Sequence, residues 1–227
     1  MSGTLYGVGV GPGDPELLTI KAVKTIKESD IIAIPNSSKE KCVAYKIALE
    51  AVKELEDKEI LYISMPMTKD ENLLNESHKS GAEKIIEELK LGRNVAFLTL
   101  GDPTVYSTYI YIHKIVLNEN YPAKIISGIP SFCAAAARIN TGLVEKSEQL
   151  HIIPASYQID EALKLSGTKV FMKSGKKILS VKEKIKNSNC NAVMVENCGM
   201  ENEKVYTDID EIKEDAGYYS LIIAKED

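Results

Sequence analysis

The feature that most constrains the fold of this chain is an alternation of strand-like and helix-like segments over roughly its first 140 residues. Short apolar runs, such as DIIAIP and NVAFLTL, are each followed by a longer segment with helical periodicity. Strands separated by helices in this way run parallel, with helices on the faces of their sheet. The predicted strands are 4–10, 30–35, 59–65, 94–100 and 123–127, and the predicted helices start at Asp14 or cover 41–55, 78–92, 105–117 and 131–139.

The pattern changes after about residue 145, where strands dominate. This change predicts a second, strand-richer α/β domain, with the division placed at 1–118 and 119–227. The predicted strands here are 149–155, 168–173, 191–197, 204–209 and 218–224, and the two predicted helices are 159–165 and 175–187.

Composition excludes several classes of protein. Hydrophobic residues make up 44% of the 227 residues and charged residues 27%, values that are typical of a globular protein. The sequence contains neither an apolar run of membrane-span length nor a signal-like start, which predicts a cytoplasmic protein without a membrane partner. The net charge of −5 and the absence of a basic stripe argue against a nucleic-acid partner. Four separated cysteines, with no CxxC pair, and three scattered histidines predict no bound metal.

A glycine-rich run, VGVGPGD, follows the first predicted strand, with a glycine at every second position from Gly7 to Gly13. A dinucleotide fingerprint needs a third glycine five residues after the first, but Pro12, Asp14 and Glu16 stand at that place in the three possible frames. Acidic side chains at the following helix start also disfavour phosphate. Two interpretations remain: a structural turn, or a loop against which a bulky ligand without phosphate lies.

Three stretches, VGVGPGDPELLT, GDPTVYS and SGIPSFCAAAARIN, occur in this order and together resemble the tetrapyrrole methylase family, whose members use S-adenosylmethionine. Within the family, GDPTVYSTYIYI, SFCAAAAR, LHIIPA, VFMKSG and YYSLIIAKE are most similar to enzymes that methylate C20 of precorrin-2 or cobalt-factor II in cobalamin biosynthesis. The resemblance implies two α/β domains with a ligand cleft between them, a homodimer and a small tetrapyrrole substrate. It also implies S-adenosylmethionine as the cofactor, with S-adenosylhomocysteine as its product.

The resemblance further implies which residues contact the methyl donor. Asp102 is the strongest candidate, because a carboxylate directly after an apolar strand can hold the ammonium or ribose of the donor, or favour its sulfonium. Its alternative role is to cap the following helix, and for the apolar candidates the alternative is core packing. The donor-binding positions that match the family are Val10, Gly101, Asp102, Val105, Tyr106, Ser131, Phe132, Met172, Asn197, Tyr219 and Ser220.

A tetrapyrrole with acetate and propionate arms is a polyanion, so an acidic protein needs local positive charge to bind it. We predict substrate contacts from Gly11, Pro12, Tyr109, Arg138 and Lys173. Further basic candidates are Lys39, Lys41, Lys176 and Lys177. Methyl transfer from an activated sulfonium needs orientation and not a protein nucleophile, and the sequence identifies no catalytic residue.

Three other functions remain open at this point. Diphthine synthesis and ribosomal-RNA methylation are activities of the same fold, and the lack of a basic surface argues against RNA. The third is a non-enzymatic, doubly wound ligand-binding module, which would bind the donor without forming S-adenosylhomocysteine.

Overall fold

The structure is a computed structural model, and it divides into two units, one up to Pro130 and the other from Ser131. Each unit has its own sheet and its own hydrophobic core. The residues that the structure describes are 2–36, 38–154, 159–174, 178–188 and 190–226.

Strands and helices alternate along the first unit, as the sequence predicts. The elements are β1 (Leu5–Gly9), α1 (Ile20–Glu28), β2 (Ile31–Ile34), α2 (Val43–Ala51), β3 (Glu59–Tyr62), α3 (Glu71–Lys90), β4 (Val95–Thr99), α4 (Tyr109–Asn118) and β5 (Ala123–Ile126), with 3-10 turns at Pro15–Leu17, Lys39–Lys41 and Lys53–Asp57. The strands lie in the order β3-β2-β4-β1-β5, and all neighbouring pairs are parallel. The prediction of an α/β fold is confirmed.

The two faces of this sheet bury different helices. Ala96 and Leu98 of β4 belong to a core that α1 and α2 complete. Val95 and Phe97 point to the opposite face, where α3 and α4 pack. Successive side chains of β4 point to opposite faces because a strand has a two-residue period. Both faces of the sheet are therefore apolar, and helices cover both.

Two helices begin elsewhere than predicted because other side chains cap them. Asp14 accepts a hydrogen bond from the Glu16 N–H (2.8 Å) and so caps a 3-10 turn, whereas Thr19 caps α1 through the Ala22 N–H (3.1 Å). The helix predicted at 78–92 starts earlier, at Glu71, because Asp70 caps it. In each case the polar cap decides where the helix begins.

The second unit contains a mixed sheet. Its elements are α5 (Ser131–Arg138), β6 (Leu150–Pro154), α6 (Ile159–Leu163), β7 (Thr168–Met172), α7 (Ile178–Lys186), β8 (Cys190–Glu196), β9 (Lys204–Tyr206) and β10 (Ser220–Glu226), with a 3-10 turn at Ile209–Glu211. The strand order is β6-β7-β10-β8-β9, in which β6 and β7 are parallel and the other pairs antiparallel. The strand-richer second half matches the prediction.

The division between the units differs from the predicted one at 118/119. It falls after Pro130, because β5 pairs in parallel with β1 and completes the first sheet. Helical and strand periodicity locate β5 correctly but do not reveal the strand with which it pairs.

Candidate functional site

The loops after β1, β4 and β5 meet at the carboxyl edge of the first sheet, where open parallel sheets bind ligands. Gly9, Gly101 and Gly128 lie in direct backbone contact there. A Cβ atom on Gly9 would stand 2.6 Å from both the Gly101 oxygen and the Gly128 nitrogen, and one on Gly128 would stand 2.2 Å from the same oxygen. A side chain at either position would therefore separate the loops.

Gly11 and Gly101 pair as a short antiparallel bridge. The Gly101 N–H donates to the Gly11 oxygen (2.8 Å), and the Gly11 N–H donates to the Gly101 oxygen (3.3 Å). Both residues have positive φ, +77° and +71°, a region that glycine adopts without strain. The bridge joins the loop after β1, with the predicted substrate residue Gly11, to the loop after β4, with the predicted donor residue Gly101.

These contacts explain the glycine-rich run in a way that differs from the ligand-accommodating interpretation. Gly9 makes room for the protein's own backbone. Gly7 makes room for a side chain: a Cβ there would lie 2.0 Å from the ring of Tyr109. At both positions the space above the glycine is filled by protein atoms, which favours the structural-turn interpretation of the run.

Asp102, a residue that is 7% exposed, joins two of these loops through its carboxyl group. Its Oδ1 accepts hydrogen bonds from the N–H of Thr104 (2.7 Å) and from the Thr104 hydroxyl. Its Oδ2 accepts from the buried N–H of Gly128 (2.9 Å). A carboxylate has about four acceptor positions, and these hydrogen bonds leave one on Oδ2 unused.

The alternative role of Asp102, as the cap of the following helix, is wrong, because Asp102 does not cap α4. The Thr104 hydrogen bonds form a turn, and α4 begins only at Tyr109, later than the helix predicted at 105–117. Tyr106 lies between them with φ +48°, a left-handed conformation that is rare for a bulky residue, and it is 46% exposed. Strained residues of this kind concentrate at functional sites.

The remaining predicted residues beside β1 and β4 differ in burial. Val10 and Pro12 are buried, and Val105 is half-buried. Val10 belongs to the core that contains α1 and α2. Its side chain therefore packs in this core, which is the alternative role of the apolar candidates.

The predicted substrate contact of Tyr109 is not supported. Its ring is fully buried against Phe97, and its hydroxyl lies 2.9 Å from Nδ1 of His113 and 3.4 Å from the Lys124 oxygen. Burial raises its pKa well above the ordinary value of 10.0 and keeps the hydroxyl protonated. Burial also lowers the pKa of His113, so the pair is neutral near pH 7.

In the second unit, four predicted donor residues converge at one end of the sheet. Met172 is paired with Leu221, the residue after Ser220. Asn197 has a φ of +53°, and its N–H donates to the Tyr219 oxygen (3.2 Å). Ser220 is buried and donates to the Gly217 oxygen (2.7 Å), while Tyr219 is 39% exposed. Antiparallel pairing thus brings together residues from three strands that are distant in sequence.

Two other predicted residues, Ser131 and Phe132, open α5, where Ser131 is half-buried and Phe132 buried. At the other end of this helix, Arg138 forms an ion pair with Glu203. Burial opposes ionisation of Glu203, but hydrogen bonds from Gly199 and Arg138 outweigh it and lower the pKa of this carboxyl group. The guanidinium therefore has a partner within the protein, which competes with the predicted substrate contact.

Of the predicted basic residues, Lys173 directly follows β7, is exposed and has a φ of +59°. Lys39 contacts the Glu56 oxygen (3.4 Å) and stacks over Tyr45, whereas Lys41 is exposed. Lys176 and Lys177 lie outside the described residues.

Sequence reasoning missed Thr99, the last residue of β4. It is 7% exposed, and its hydroxyl oxygen has no hydrogen-bond partner. The one signal in the sequence is a polar residue near the end of the apolar run NVAFLTL. Such a residue is common at strand ends, so the run alone does not distinguish it.

Among the described residues, no group of three His, Cys, Asp or Glu side chains is arranged to hold a metal ion. No described helix combines the length and apolar character that crossing a bilayer requires.

The arrangement of the first sheet and its glycine loops agrees with a comparison against protein families. The family described as Tetrapyrrole (Corrin/Porphyrin) Methylases matches residues 4–213, which is most of the chain. The chain belongs to the tetrapyrrole methylase family. The resemblance of its motifs to this family is confirmed.

Three relatives of this tetrapyrrole methylase match along almost their full length. The probable cobalt-precorrin-2 C(20)-methyltransferase of Methanocaldococcus jannaschii is 36% identical, over 97% of this chain and 95% of its own. The precorrin-2 C(20)-methyltransferase of a Sinorhizobium species is 29% identical, over 97% and 94%. The uroporphyrin-III C-methyltransferase of Thermus thermophilus, solved in complex with S-adenosylhomocysteine, is similar in fold, with a TM-score of 0.70 over 99% and 98% of the chains at 18% identity.

Proposed function

We propose that this tetrapyrrole methylase transfers a methyl group from S-adenosylmethionine to C20 of a dimethylated tetrapyrrole in cobalamin biosynthesis. The observation that carries the proposal is the match, at 36% identity and across nearly the whole of both chains, to the probable cobalt-precorrin-2 C(20)-methyltransferase. Two stretches favour this ring position: GDPTVYSTYIYI covers the loop after β4 and the start of α4, and SFCAAAAR forms α5.

The residues at the carboxyl edge of the first sheet fit a methyl donor. When bound, S-adenosylmethionine supplies a methyl group that its sulfonium already activates. Asp102 has one acceptor position left on Oδ2, and Thr99 has a buried hydroxyl without a partner. The acceptor position of Asp102 suits an ammonium or a ribose hydroxyl of the donor. A carboxylate beside a sulfonium also stabilises the positive charge of the sulfur.

The chain's own part in the reaction is to bind the donor and the substrate, to orient them, and to exclude water from them. Reactants that are held in line gain on the order of 7–11 kcal/mol over free encounter. The glycine contacts and the three hydrogen bonds of Asp102 fix the loops that would position the donor. A proton leaves the ring carbon after transfer. The hydroxyl of the buried Tyr109 lies 2.9 Å from Nδ1 of the half-buried His113, so we assign neither residue to this proton.

The proposed substrate is a polyanion, and we infer that the cobalt-bound form is preferred. Metal-free and cobalt-bound forms share their carboxylate arms and nearly the same outline, so the same contacts serve both. The metal changes ring planarity and electron density at the attacked carbon, and thereby reactivity. Lys173 and Lys41, both exposed, are the candidates for the carboxylate contacts.

The decisive experiment is anaerobic incubation of the protein and S-adenosylmethionine with precorrin-2 or cobalt-factor II. We expect one methyl group to be gained, located at C20 by NMR, with faster turnover of the cobalt compound. Methylation at another carbon overturns the assignment, and faster turnover of precorrin-2 overturns the metal preference. Binding without formation of S-adenosylhomocysteine, under these conditions and with the diphthamide precursor, indicates a non-enzymatic module instead.

We further propose that the protein acts as a homodimer, an inference that rests on the resemblance to the family. Sedimentation equilibrium at micromolar concentration is expected to give twice the chain mass of 25.0 kDa. A measured mass equal to that of one chain contradicts the proposed homodimer.

A further inference from the structure

Thr99 occupies an unusual position at the carboxyl edge of the first sheet. It ends β4, and it is paired in register with Gly9 of β1. Its hydroxyl oxygen is buried without a hydrogen-bond partner, one of two such side-chain atoms among the described residues. A buried hydroxyl without a partner is destabilising, and valine has nearly the same shape without that penalty.

The neighbouring backbone donors do not satisfy this hydroxyl, because each already has an acceptor. The Val10 N–H donates to the Thr99 oxygen (3.0 Å), and the Gly101 N–H donates to the Gly11 oxygen. The Gly128 N–H donates to Asp102. These three N–H groups therefore form hydrogen bonds with one another's loops and none with the Thr99 hydroxyl.

A contact between this hydroxyl and a ligand requires rotation of the side chain, because the hydroxyl oxygen is buried. Rotation about χ1 of a threonine moves the hydroxyl into another staggered position, and threonine populates more than one of these. Of the residue, 7% remains exposed at the end of the strand, beside the glycine loops. Tight packing of Gly9, Gly101 and Gly128 holds this edge in place around it.

We propose that Thr99 is a further binding residue for the methyl donor, and that its hydroxyl hydrogen-bonds the S-adenosyl ligand at the end of β4. The inference rests on the proposed function, because it takes S-adenosylmethionine and its product as the ligand. A neutral hydrogen bond made only in the complex improves affinity by roughly three- to tenfold.

The test compares Thr99→Val with Thr168→Val, using S-adenosylhomocysteine as the probe in calorimetry and urea unfolding of the free protein. Thr168 is a matched control, since it is a buried strand threonine whose hydroxyl donates to the Leu143 oxygen (2.6 Å). We expect Thr99→Val to bind roughly three- to tenfold more weakly, with an equal or higher unfolding midpoint. Thr168→Val is expected to bind normally with a lower midpoint, and Thr99→Ser to bind within about twofold of the wild type.

The outcomes separate this inference from the proposed function. If the wild type binds S-adenosylhomocysteine and Thr99→Val binds it equally well, the role of Thr99 is overturned and the proposed function stands. If Thr99→Val lowers the unfolding midpoint as much as Thr168→Val, the hydroxyl has a partner within the protein, and the inference is again overturned. If the wild type does not bind the probe at all, the proposed function and the inference fail together.

Discussion

Replacement of Asp102 by asparagine tests whether this residue holds the loops of the candidate site together. Asparagine has the same shape but only one acceptor oxygen, and its amide nitrogen can only donate. In one orientation the amide nitrogen faces the Gly128 N–H, so two donors oppose each other. In the other it faces the N–H of Thr104, which loses its acceptor, and the Thr104 hydroxyl, which can accept from the amide. Neither orientation keeps all three hydrogen bonds of the aspartate.

The expected loss of stability is the cost of one backbone N–H without an acceptor, because either orientation leaves one: the buried N–H of Gly128 or that of Thr104. A donor left in the protein without a partner costs about 1–3 kcal/mol. We therefore expect Asp102→Asn to lower the free energy of unfolding by about 1–3 kcal/mol, and to weaken binding of S-adenosylhomocysteine through displacement of the loops that Asp102 joins.

Urea unfolding followed by far-UV circular dichroism measures the first effect, and calorimetry the second. Asp70→Asn is the control, because Asp70 accepts from Asn72 (3.0 Å) and Leu73 (3.2 Å) through a single oxygen, which asparagine retains. The control is expected to change the free energy of unfolding by less than about 1 kcal/mol. An effect of Asp102→Asn no larger than that of the control refutes the proposed joining role of Asp102.

Three further predictions concern packing, an unpaired polar atom and pH. Gly9→Ala is expected to lower the free energy of unfolding by roughly 1–3 kcal/mol or more, because its Cβ would meet backbone atoms at 2.6 Å, whereas Gly142→Ala, with no atom closer than 4.0 Å, is expected to be neutral in the same urea assay. Ser174→Ala is expected to leave the free energy of unfolding equal or higher, since its buried hydroxyl has no partner, and a loss above about 1 kcal/mol contradicts this. Burial lowers the pKa of His78 and His113 below the ordinary value of 6.5. The unfolded chain therefore takes up protons at a higher pH than the folded protein, so the free energy of unfolding falls as the pH drops below about 6.5. If the free energy of unfolding of a His113→Asn variant depends on pH as strongly as that of the wild type, burial of His113 is not the cause.

The sequence by itself determined the class of fold and most of the elements. Strands such as β4 and helices such as α5 lie within a few residues of their predicted ranges, because hydrophobic periodicity is a local property. Helix starts were less well predicted where several polar residues compete for the cap, as Asp14 and Thr19 do before α1. The motifs were sufficient to indicate the family, because they cover the chain in order.

Only the tertiary structure decided which residues of the candidate site contact one another. The strand order places β1 between β4 and β5, and this neighbourhood brings Gly9, Gly101 and Gly128 into contact. The hydrogen bond from Gly128 to Asp102 joins residues 26 positions apart, so no local pattern records it. For the same reason the sequence did not predict that Tyr109 of the helix after β4 lies fully buried over Gly7. Local preferences select the elements, but close packing between distant segments determines which side chains fill the core and which remain for a ligand.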